Sequence, residues 1–230
     1  MSKKAIILLS GGIDSTTALY HSQENYEIVK AVSFDYGSKH NAKEIDFAQH
    51  HAEALNIPHA LIELPFINEL FKSHLLQSGG DIPDGHYQEK IMKQTVVPFR
   101  NGIMLSIAGG LAESENATKL IIAAHTGDHA IYPDCRTDFM QAMSQALKLG
   151  TYTKTEIIRP FIDQDKTAIV KIGTKVGIDY SKTWSCYKGL EKHCGSCGTC
   201  IERREAFLNA GITDPTEYIA TGPIPDKPNE

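Results

Sequence analysis

Apolar and polar residues alternate along the chain in blocks whose lengths predict strands and helices in turn. The first block, Ala5 to Leu9, is continuously apolar and ends at a glycine pair, a pattern typical of a strand buried on both faces of a parallel sheet. Further strands are predicted at Ile28–Phe34, Ala60–Leu64, Lys119–Ala124 and, as a short extended segment, Thr155–Pro160. Apolar residues near helical spacing predict helices at Thr17–Gln23, Lys43–Leu55, Asn101–Glu113, Asp138–Leu149, Asp165–Val176 and Glu202–Ala210.

Strands that alternate with helices at this spacing predict an α/β fold with a doubly wound, Rossmann-like parallel sheet and right-handed crossovers. Such sheets bind ligands outside the carboxyl ends of their strands. We expect residues 1–180 to form this domain, residues 181–220 a cysteine-rich segment with a helix, and residues 221–230 a disordered tail. Residues 66–98 are interpreted as a long, partly irregular insertion, and insertions of that length are commonly functional or mobile.

The turn after the first strand, Ser10-Gly-Gly-Ile-Asp-Ser15, has the composition of a phosphate-binding loop. Its glycines let backbone N–H groups turn inward, and the helix that follows contributes positive potential at its N-terminus. A Walker-type loop would end in Gly-Lys-Ser or Gly-Lys-Thr, so a GTPase or kinase of that class is disfavoured. Asp14 would repel phosphates unless it holds a divalent cation, and we interpret it as a magnesium ligand. In the simpler alternative, Asp14 or Ser15 only caps the helix.

Four of the five cysteines fall close together, with the spacing C-x7-C-x2-C-x2-C, at Cys186, Cys194, Cys197 and Cys200. Four thiolates suit a tetrahedral zinc ion with no open position for chemistry, so we expect a structural site. The same ligands could hold an iron–sulfur cluster, and disulfides are the third alternative. The fifth cysteine, Cys135, is expected to be a small buried side chain rather than a nucleophile.

Two further segments carry charged groups where a ligand crevice is expected. Arg100 precedes a predicted helix, and Asp134 and Arg136 follow the fourth strand. An arginine can grip a carboxylate with two hydrogen bonds, whereas an aspartate can accept the paired N–H groups of a guanine-like edge. The alternative for both segments is a salt bridge with turn chemistry.

Composition narrows the class of protein. Of the 230 residues, 41% are hydrophobic and 22% charged, which excludes a disordered or collagen-like chain. The 23 Lys and Arg residues against 28 Asp and Glu residues give a net charge of −5, so a basic nucleic-acid footprint is not expected. The first apolar run is too short for a signal peptide, and no run approaches the roughly 18 apolar residues of a membrane span. We therefore expect a cytoplasmic protein.

The Ser-Gly-Gly-x-Asp-Ser pattern of residues 10–15 resembles the pyrophosphatase loop of the PP-loop ATPases, which have the adenine nucleotide alpha hydrolase-like fold. The resemblance implies an enzyme that cleaves ATP between the α and β phosphates, adenylates an oxygen of its substrate and releases pyrophosphate.

Together with the cysteine spacing, five more segments resemble the 7-cyano-7-deazaguanine synthase (QueC) family. They are Asp35–Gly37, Val97–Asn101, Ile131–Arg136, Trp184–Tyr187 and Asp214–Thr216. The resemblance runs from about Ala5 to about Tyr218. It implies an ATP-dependent, zinc-containing, homodimeric ligase that converts 7-carboxy-7-deazaguanine and free ammonia into the nitrile in queuosine biosynthesis.

We assign roles to individual residues as hypotheses. The nucleotide is expected to contact Leu8, Leu9, Ser10, Gly11, Gly12, Ile13, Asp14, Ser15, Thr16, Thr17 and Ala18, with its adenosine at backbone groups near Leu8 and Phe34. The candidate catalytic residues are Asp14, Ser15, Arg100, Asp134, Arg136 and Lys166. Arg100 and Arg136 are assigned to the substrate carboxylate or phosphates, Asp134 to the base edge and Lys166 to pyrophosphate.

The chain departs from the common family pattern at several positions. Ile13 and Ser38 stand where Gln is frequent, Phe99 and Ile131 stand where Gly is frequent, and the run from His125 to His129 also differs. A paralogue that acts on a related 7-substituted deazaguanine is therefore one alternative. The others are a tRNA-modifying PP-loop enzyme, such as a thiolase, and a zinc-knuckle module on a nucleotide-sensing domain without catalysis.

Overall fold

Five parallel strands form one sheet in the computed structural model, which describes residues 3–86, 90–127 and 131–225. The strands are β1 (Lys3–Leu8), β2 (Tyr26–Asp35), β3 (His59–Glu63), β4 (Lys119–Ile121) and β5 (Glu156–Ile158). Their order in the sheet is β3-β2-β1-β4-β5, so the chain builds outward from β1 to one edge and then returns to build toward the other. The reversal lies between β1 and β4, and the predicted doubly wound parallel sheet is confirmed.

Seven α-helices connect and follow these strands in the described part of the chain. They are α1 (Ile13–Ser22), α2 (Asn41–Ala54), α3 (Pro65–Leu70), α4 (Arg100–Ser114), α5 (Thr137–Gly150), α6 (Lys166–Lys175) and α7 (Gly198–Ala210). Every predicted helix is present, although α1 and α7 begin earlier than Thr17 and Glu202, and α3 was not predicted. Among the described residues, no helix has the length and apolar character needed to cross a bilayer.

The central strand β1 is buried on both faces over Ala5–Ile7, as its unbroken apolar run predicts. Ile6 packs in a cluster with Leu105 and Leu120 on one face, while Ile7 packs with Leu19 and other apolar residues on the opposite face. Both isoleucines are fully buried. Because successive residues of a strand point to opposite faces, the run that is covered on both sides is entirely apolar, and the two lysines of β1 lie at its exposed start.

The insertion between β3 and α4 is held by contacts with distant parts of the chain. It contains α3 and a short 3-10 helix at Lys90–Thr95. Lys39 donates to the carbonyl oxygens of His74 (2.9 Å) and Leu76 (2.5 Å), and Asp84 forms a β-bridge with Cys197. The insertion therefore joins the sheet domain to the cysteine segment. Residues 87–89 of the insertion, Asp128 and His129, and residues 226–230 of the predicted tail lie outside the described residues.

Candidate active site

An open cleft lies at the carboxyl ends of β1, β2 and β4, with a volume of about 1250 Å³ that includes its solvent-filled mouth. Strand ends form its floor. The first turns of α1, α2 and α4 form its walls, together with Tyr132, Cys135, Trp184, Ser185 and Tyr187. This is the position at which doubly wound sheets bind their ligands.

The loop between β1 and α1 is shaped for an anion. Gly11 has φ of +78°, and a Cβ atom there would lie 2.3 Å from the carbonyl oxygen of Glu44, so the turn requires glycine. Gly12 is the N-cap of α1, and it has no side chain that could occupy the N–H groups of the first turn. Ser15 Oγ accepts the backbone N–H of Ser10 at 3.1 Å. The alternative in which Asp14 or Ser15 is the helix cap is therefore wrong, and the first turn of α1 can donate to a phosphate.

Asp14 lies in a network of charged groups. Its Oδ2 atom is 2.9 Å from Lys166 Nζ and 3.7 Å from His125 Nε2, and Lys166 Nζ is also 2.9 Å from Glu202 Oε2. Its Oδ1 atom is buried and has no hydrogen-bond partner among the described residues. A buried carboxylate oxygen without a donor fits a divalent cation or a water bound to one, so Asp14 suits magnesium. Lys166, which the sequence analysis assigned to pyrophosphate, lines the same cleft.

The residues predicted to contact the nucleotide divide into two groups. Those that line the cleft are Leu8, Leu9, Ser10, Gly12, Ile13, Asp14 and Ser15. Those that are buried and do not line it are Gly11, Thr16, Thr17 and Ala18. Thr17 Oγ1 donates to the carbonyl oxygen of Ile13 at 2.7 Å. Phe34 also lines the floor, so both backbone positions assigned to adenosine border the cleft.

Arg100 is the first residue of α4 and lines the cleft. One of its terminal nitrogens donates to the hydroxyl oxygen of Tyr36 at 3.2 Å. Its guanidinium carbon lies 5.7 Å from the ring centre of Tyr36 and 5.8 Å from that of Tyr132, within the range of a cation–π contact. Among the described residues, no carboxylate forms a salt bridge with it.

The structure places Asp134 and Arg136 differently from the prediction. Asp134 is buried, and its Oδ2 atom accepts the backbone N–H of Asn101 at 2.8 Å. The carboxylate therefore caps the start of α4 and does not line the cleft. Arg136 is exposed and also lies outside the cleft lining. This geometry supports neither the base-edge role of Asp134 nor the substrate role of Arg136. Cys135 is buried as expected and accepts the side-chain N–H of Asn101 at 3.1 Å.

The sequence did not single out two ionisable residues of the cleft, Glu44 and His40. They lie four residues apart at the start of α2, with Glu44 Oε2 at 3.5 Å from His40 Nε2. Burial raises the pKa of the Glu44 carboxyl to about 8, although Arg100 lowers it in part. Burial, and then the charge of Arg100, lower the pKa of His40 to about 3, so this imidazole is neutral. The sequence signal that could have found these two residues is their position at the start of a helix that follows a strand. The first turn of such a helix reaches the edge of the sheet at which ligands bind.

The four cysteines Cys186, Cys194, Cys197 and Cys200 come together as predicted. All are buried, and their sulfur atoms lie within 4.8 Å of one another. The Sγ atoms of Cys194 and Cys200 are 3.8 Å apart, close to the spacing of two thiolates on one tetrahedral zinc ion. Cys194 Sγ also accepts the backbone N–H groups of Ser196 (3.4 Å) and Cys197 (3.2 Å). The donor set and its geometry fit a closed structural metal site.

The cysteine segment forms one wall of the cleft. The backbone N–H of Trp184 donates to the carbonyl oxygen of Gly11 at 3.0 Å, and its indole N–H donates to the carbonyl oxygen of Cys186 at 2.7 Å. Tyr187 and Thr199 also line the cleft. The phosphate-type loop is therefore hydrogen-bonded directly to the segment that would hold the metal.

The departures from the family pattern lie at the site or beside it. Ile13 lines the cleft, Ser38 is buried, and Ile131 is buried beside Tyr132. Phe99 has φ of +52° and is 58% exposed. Glycine adopts that backbone conformation without strain, which explains why it is the frequent residue there. The described part of the run that starts at His125 joins the network around Asp14.

Comparisons with solved structures agree with this fold. NMN synthetase from Francisella tularensis aligns with a TM-score of 0.55 and 14% identity, over 92% of this chain and 79% of that protein. A 4-thiouridine synthetase, solved in an RNA complex with bound ATP, aligns with a TM-score of 0.51 and 17% identity, over 91% of this chain and 50% of that protein. At such identities these likenesses show the fold alone.

Sequence comparisons are more specific. A family model described as queuosine biosynthesis protein QueC matches residues 4–211. A 7-cyano-7-deazaguanine synthase from Porphyromonas gingivalis is 56% identical over 216 residues, which cover 94% of this chain and 97% of the relative. One from Caldicellulosiruptor saccharolyticus is 48% identical over 215 residues, which cover 94% of this chain and 95% of the relative. A match of this extent confirms the resemblance found in the motifs: the chain belongs to the QueC family.

Proposed function

We propose that this enzyme is an ATP-dependent ligase that converts 7-carboxy-7-deazaguanine and ammonia into 7-cyano-7-deazaguanine, as a step of queuosine biosynthesis. One observation carries the proposal. A single cleft is lined by a phosphate-type loop and by a half-buried arginine that has no salt bridge to a carboxylate within the described part of the chain, and the relatives of this chain are named 7-cyano-7-deazaguanine synthase.

The loop side of the cleft suits the triphosphate of ATP. The N–H groups of the first turn of α1, with Ser10 and Ser15, are positioned to donate to the β and γ phosphates. Asp14 would hold Mg²⁺, which neutralises phosphate charge when bound. Lys166 would then exchange its contact with Asp14 for one with the leaving pyrophosphate.

The reaction requires two activation steps, first of the substrate carboxylate and then of the amide. A carboxylate oxygen of the substrate attacks the α phosphorus, pyrophosphate leaves, and an acyl adenylate forms. Ammonia adds to the acyl carbon, and the bond between that carbon and the oxygen of AMP breaks. AMP leaves, a proton is lost, and the amide forms. The amide oxygen then attacks the α phosphorus of a second ATP, and a second pyrophosphate leaves. The two N–H protons are lost and the carbon–oxygen bond to AMP breaks, which gives the nitrile. The enzyme's part is to position the reactants and to stabilise charge, with Arg100 beside the carboxylate.

The four cysteines would hold Zn²⁺ as a structural ion. The donor set leaves no open coordination position, so the metal would supply a cross-link between residues 186–200 and no chemistry. Its proposed contribution is to fix the wall that carries Trp184, Tyr187 and Thr199.

Product analysis tests the function directly. The protein is incubated with ATP, MgCl₂, 7-carboxy-7-deazaguanine and ammonium chloride, and mass spectrometry follows the deazaguanine while a pyrophosphate assay follows ATP. Nitrile with about two pyrophosphates per turnover is the expected result. Amide as the sole product would place the enzyme with a related paralogue. ATP binding without pyrophosphate release would contradict catalysis and favour a nucleotide-sensing module.

The proposal includes a cytoplasmic homodimer that has no nucleic-acid partner. The net charge of −5 supports the last point. Light scattering checks the assembly, and a gel-shift titration with tRNA at low salt checks for nucleic-acid binding.

A further inference from the structure

Two ionisable side chains, Arg100 and Glu44, line the cleft without forming a salt bridge with each other. Arg100 has tyrosine neighbours but no salt bridge among the described residues. Glu44 contacts a neutral imidazole, that of His40, at 3.5 Å. Both side chains are largely shielded from water, and a buried charge is costly unless a partner compensates it. A ligand that brings an anionic group for one residue and N–H donors for the other would satisfy both.

The space between them suits a flat ring. Tyr132 and Tyr187 line the cleft with their hydroxyl oxygens 3.1 Å apart, and the rings of His40 and Tyr187 lie 5.1 Å apart. Aromatic side chains of this kind favour a planar heterocycle through offset or edge-to-face contacts.

Among the described residues, Asp14 and Glu44 are the two carboxylates that line the cleft. Asp14 belongs to the phosphate loop and pairs with Lys166 at 2.9 Å. Asp134, the carboxylate that the sequence assigned to the base edge, is occupied by the backbone N–H of Asn101. Glu44 is left as the acceptor for neutral N–H donors of a substrate.

We propose that Glu44 is the specificity-determining residue for the 2-aminopyrimidinone edge of the substrate, with its two oxygens accepting the ring N–H and one N–H of the 2-amino group. Two parallel N–H donors match the two oxygens of a carboxylate, and hydrogen bonds to the charged form favour ionisation of Glu44 when the substrate binds. Arg100 is then free to hold the carboxylate of the same substrate. This inference rests on the proposed function, because it takes 7-carboxy-7-deazaguanine as the ligand.

The test compares two substrates on two variants. The substrates are 7-carboxy-7-deazaguanine and the analogue in which hydrogen replaces the 2-amino group. Because a site built to pair with an N–H group is left unsatisfied by the analogue, we expect the native enzyme to prefer the true substrate by about 100-fold or more in kcat/KM. Glu44→Gln should raise the KM for the true substrate about 100-fold, keep the KM for ATP within about threefold, and reduce the preference below about tenfold. Glu53→Gln, an exposed glutamate on the same helix, is the matched control and should keep the preference.

Three outcomes decide the matter. A Glu44→Gln enzyme that keeps the native substrate preference would overturn the inference. If Asp134→Asn loses the preference while Glu44→Gln keeps it, Asp134 and not Glu44 recognises the 2-aminopyrimidinone edge.

Melting temperature and metal content of Glu44→Gln establish that it is folded. Glu44→Asp withdraws the carboxylate by one methylene, and its substrate preference should lie between those of the native enzyme and Glu44→Gln. If the native enzyme releases no pyrophosphate with the true substrate, the proposed function fails. Calorimetric affinities of the two heterocycles for the native and Glu44→Gln proteins then still decide the role of Glu44.

Discussion

At the scale of single residues, Asp14 combines two features that are rarely found together. One carboxylate oxygen is paired with Lys166, and the other is buried without a partner among the described residues. A purely structural aspartate satisfies both oxygens, so this arrangement indicates a ligand that arrives with the nucleotide.

Asp14→Asn removes the charge and keeps the shape. We expect the rate of pyrophosphate release to fall by about 100-fold or more, because the cation that neutralises the phosphates loses its anchor. The metal content and the melting temperature should remain close to native. Asp46→Asn, an exposed aspartate on α2, is the charge-matched control. Near-native turnover by Asp14→Asn would remove the loop from the mechanism.

The raised pKa of Glu44 should make the unfolding free energy depend on pH. Its folded pKa of about 8 lies above the ordinary value of 4.5, so between these pH values the folded protein holds a proton that the unfolded chain has lost. Stability from this group therefore falls as the pH rises through that window. Compared with native protein, Glu44→Gln should gain up to a few kcal/mol of unfolding free energy between pH 5 and pH 8. Denaturant unfolding at both pH values measures this, and parallel pH profiles for the two proteins would contradict it.

Sequence reasoning found the residues of the phosphate loop because their spacing and composition are local. It missed Glu44 and His40, since their approach to the loop depends on how α2 packs beside Gly11. It assigned Asp134 to the substrate because an aspartate after the fourth strand lies where a ligand crevice is expected and can accept the paired N–H groups of a guanine-like edge. In the fold, a backbone N–H of α4 takes that carboxylate instead.

At the scale of elements, the cysteine segment connects three parts of the chain. Trp184 is hydrogen-bonded to the phosphate loop, Cys197 forms a β-bridge with Asp84 of the insertion, and α7 begins directly after Cys197 and carries Cys200. Loss of the metal should therefore disturb both stability and nucleotide binding.

Cys197→Ser tests this coupling. We expect a loss of metal, a fall in unfolding free energy of several kcal/mol and a weaker affinity for ATP, because structural zinc contributes folding energy outright. Calorimetry, metal analysis and an ATP titration measure the three effects. Cys135→Ser changes the cysteine outside the cluster and should keep the metal. If the native protein is brown and contains stoichiometric iron, the four cysteines hold an iron–sulfur cluster and not zinc. A fully active, stable Cys197→Ser protein would exclude a structural metal.

The strands and long helices were predictable because their apolar patterns extend over several turns or over whole strands. The short helix α3 was not, since six residues that begin at a proline give little periodic signal. The contacts of the insertion were also unpredictable. Lys188 pairs with Asp84 at 2.6 Å and His86 lies 3.1 Å from Glu205, across separations in sequence that no local pattern encodes.

At the scale of the whole molecule, the cleft is shared between the sheet and the cysteine segment. The sheet supplies the loop and the floor, and Trp184, Ser185, Tyr187 and Thr199 supply one wall. Fold class and family could be predicted from the sequence because the alternation of strands with helices and the spacing of the motifs extend over nearly the whole chain. The shared wall emerged only from the packing of the two parts.

The single tryptophan of the chain is Trp184, and it lies in that shared wall. It is 4% exposed, its ring is 4.1 Å from that of His193, and its backbone is bonded to Gly11. The protein therefore contains its own fluorophore at the junction between nucleotide loop and metal segment. We expect Mg-ATP to change the intensity of tryptophan emission, and a chelator to shift its maximum to longer wavelength as water reaches the ring.

A titration of the unlabelled protein measures both effects, with free tryptophan amide as the control for light absorbed by the nucleotide. Unchanged emission at ATP concentrations that calorimetry shows to be saturating would contradict the placement of the ring. If the spectrum responds as expected, one emission band separates ligand binding from metal loss in real time, without a substitution or an attached dye.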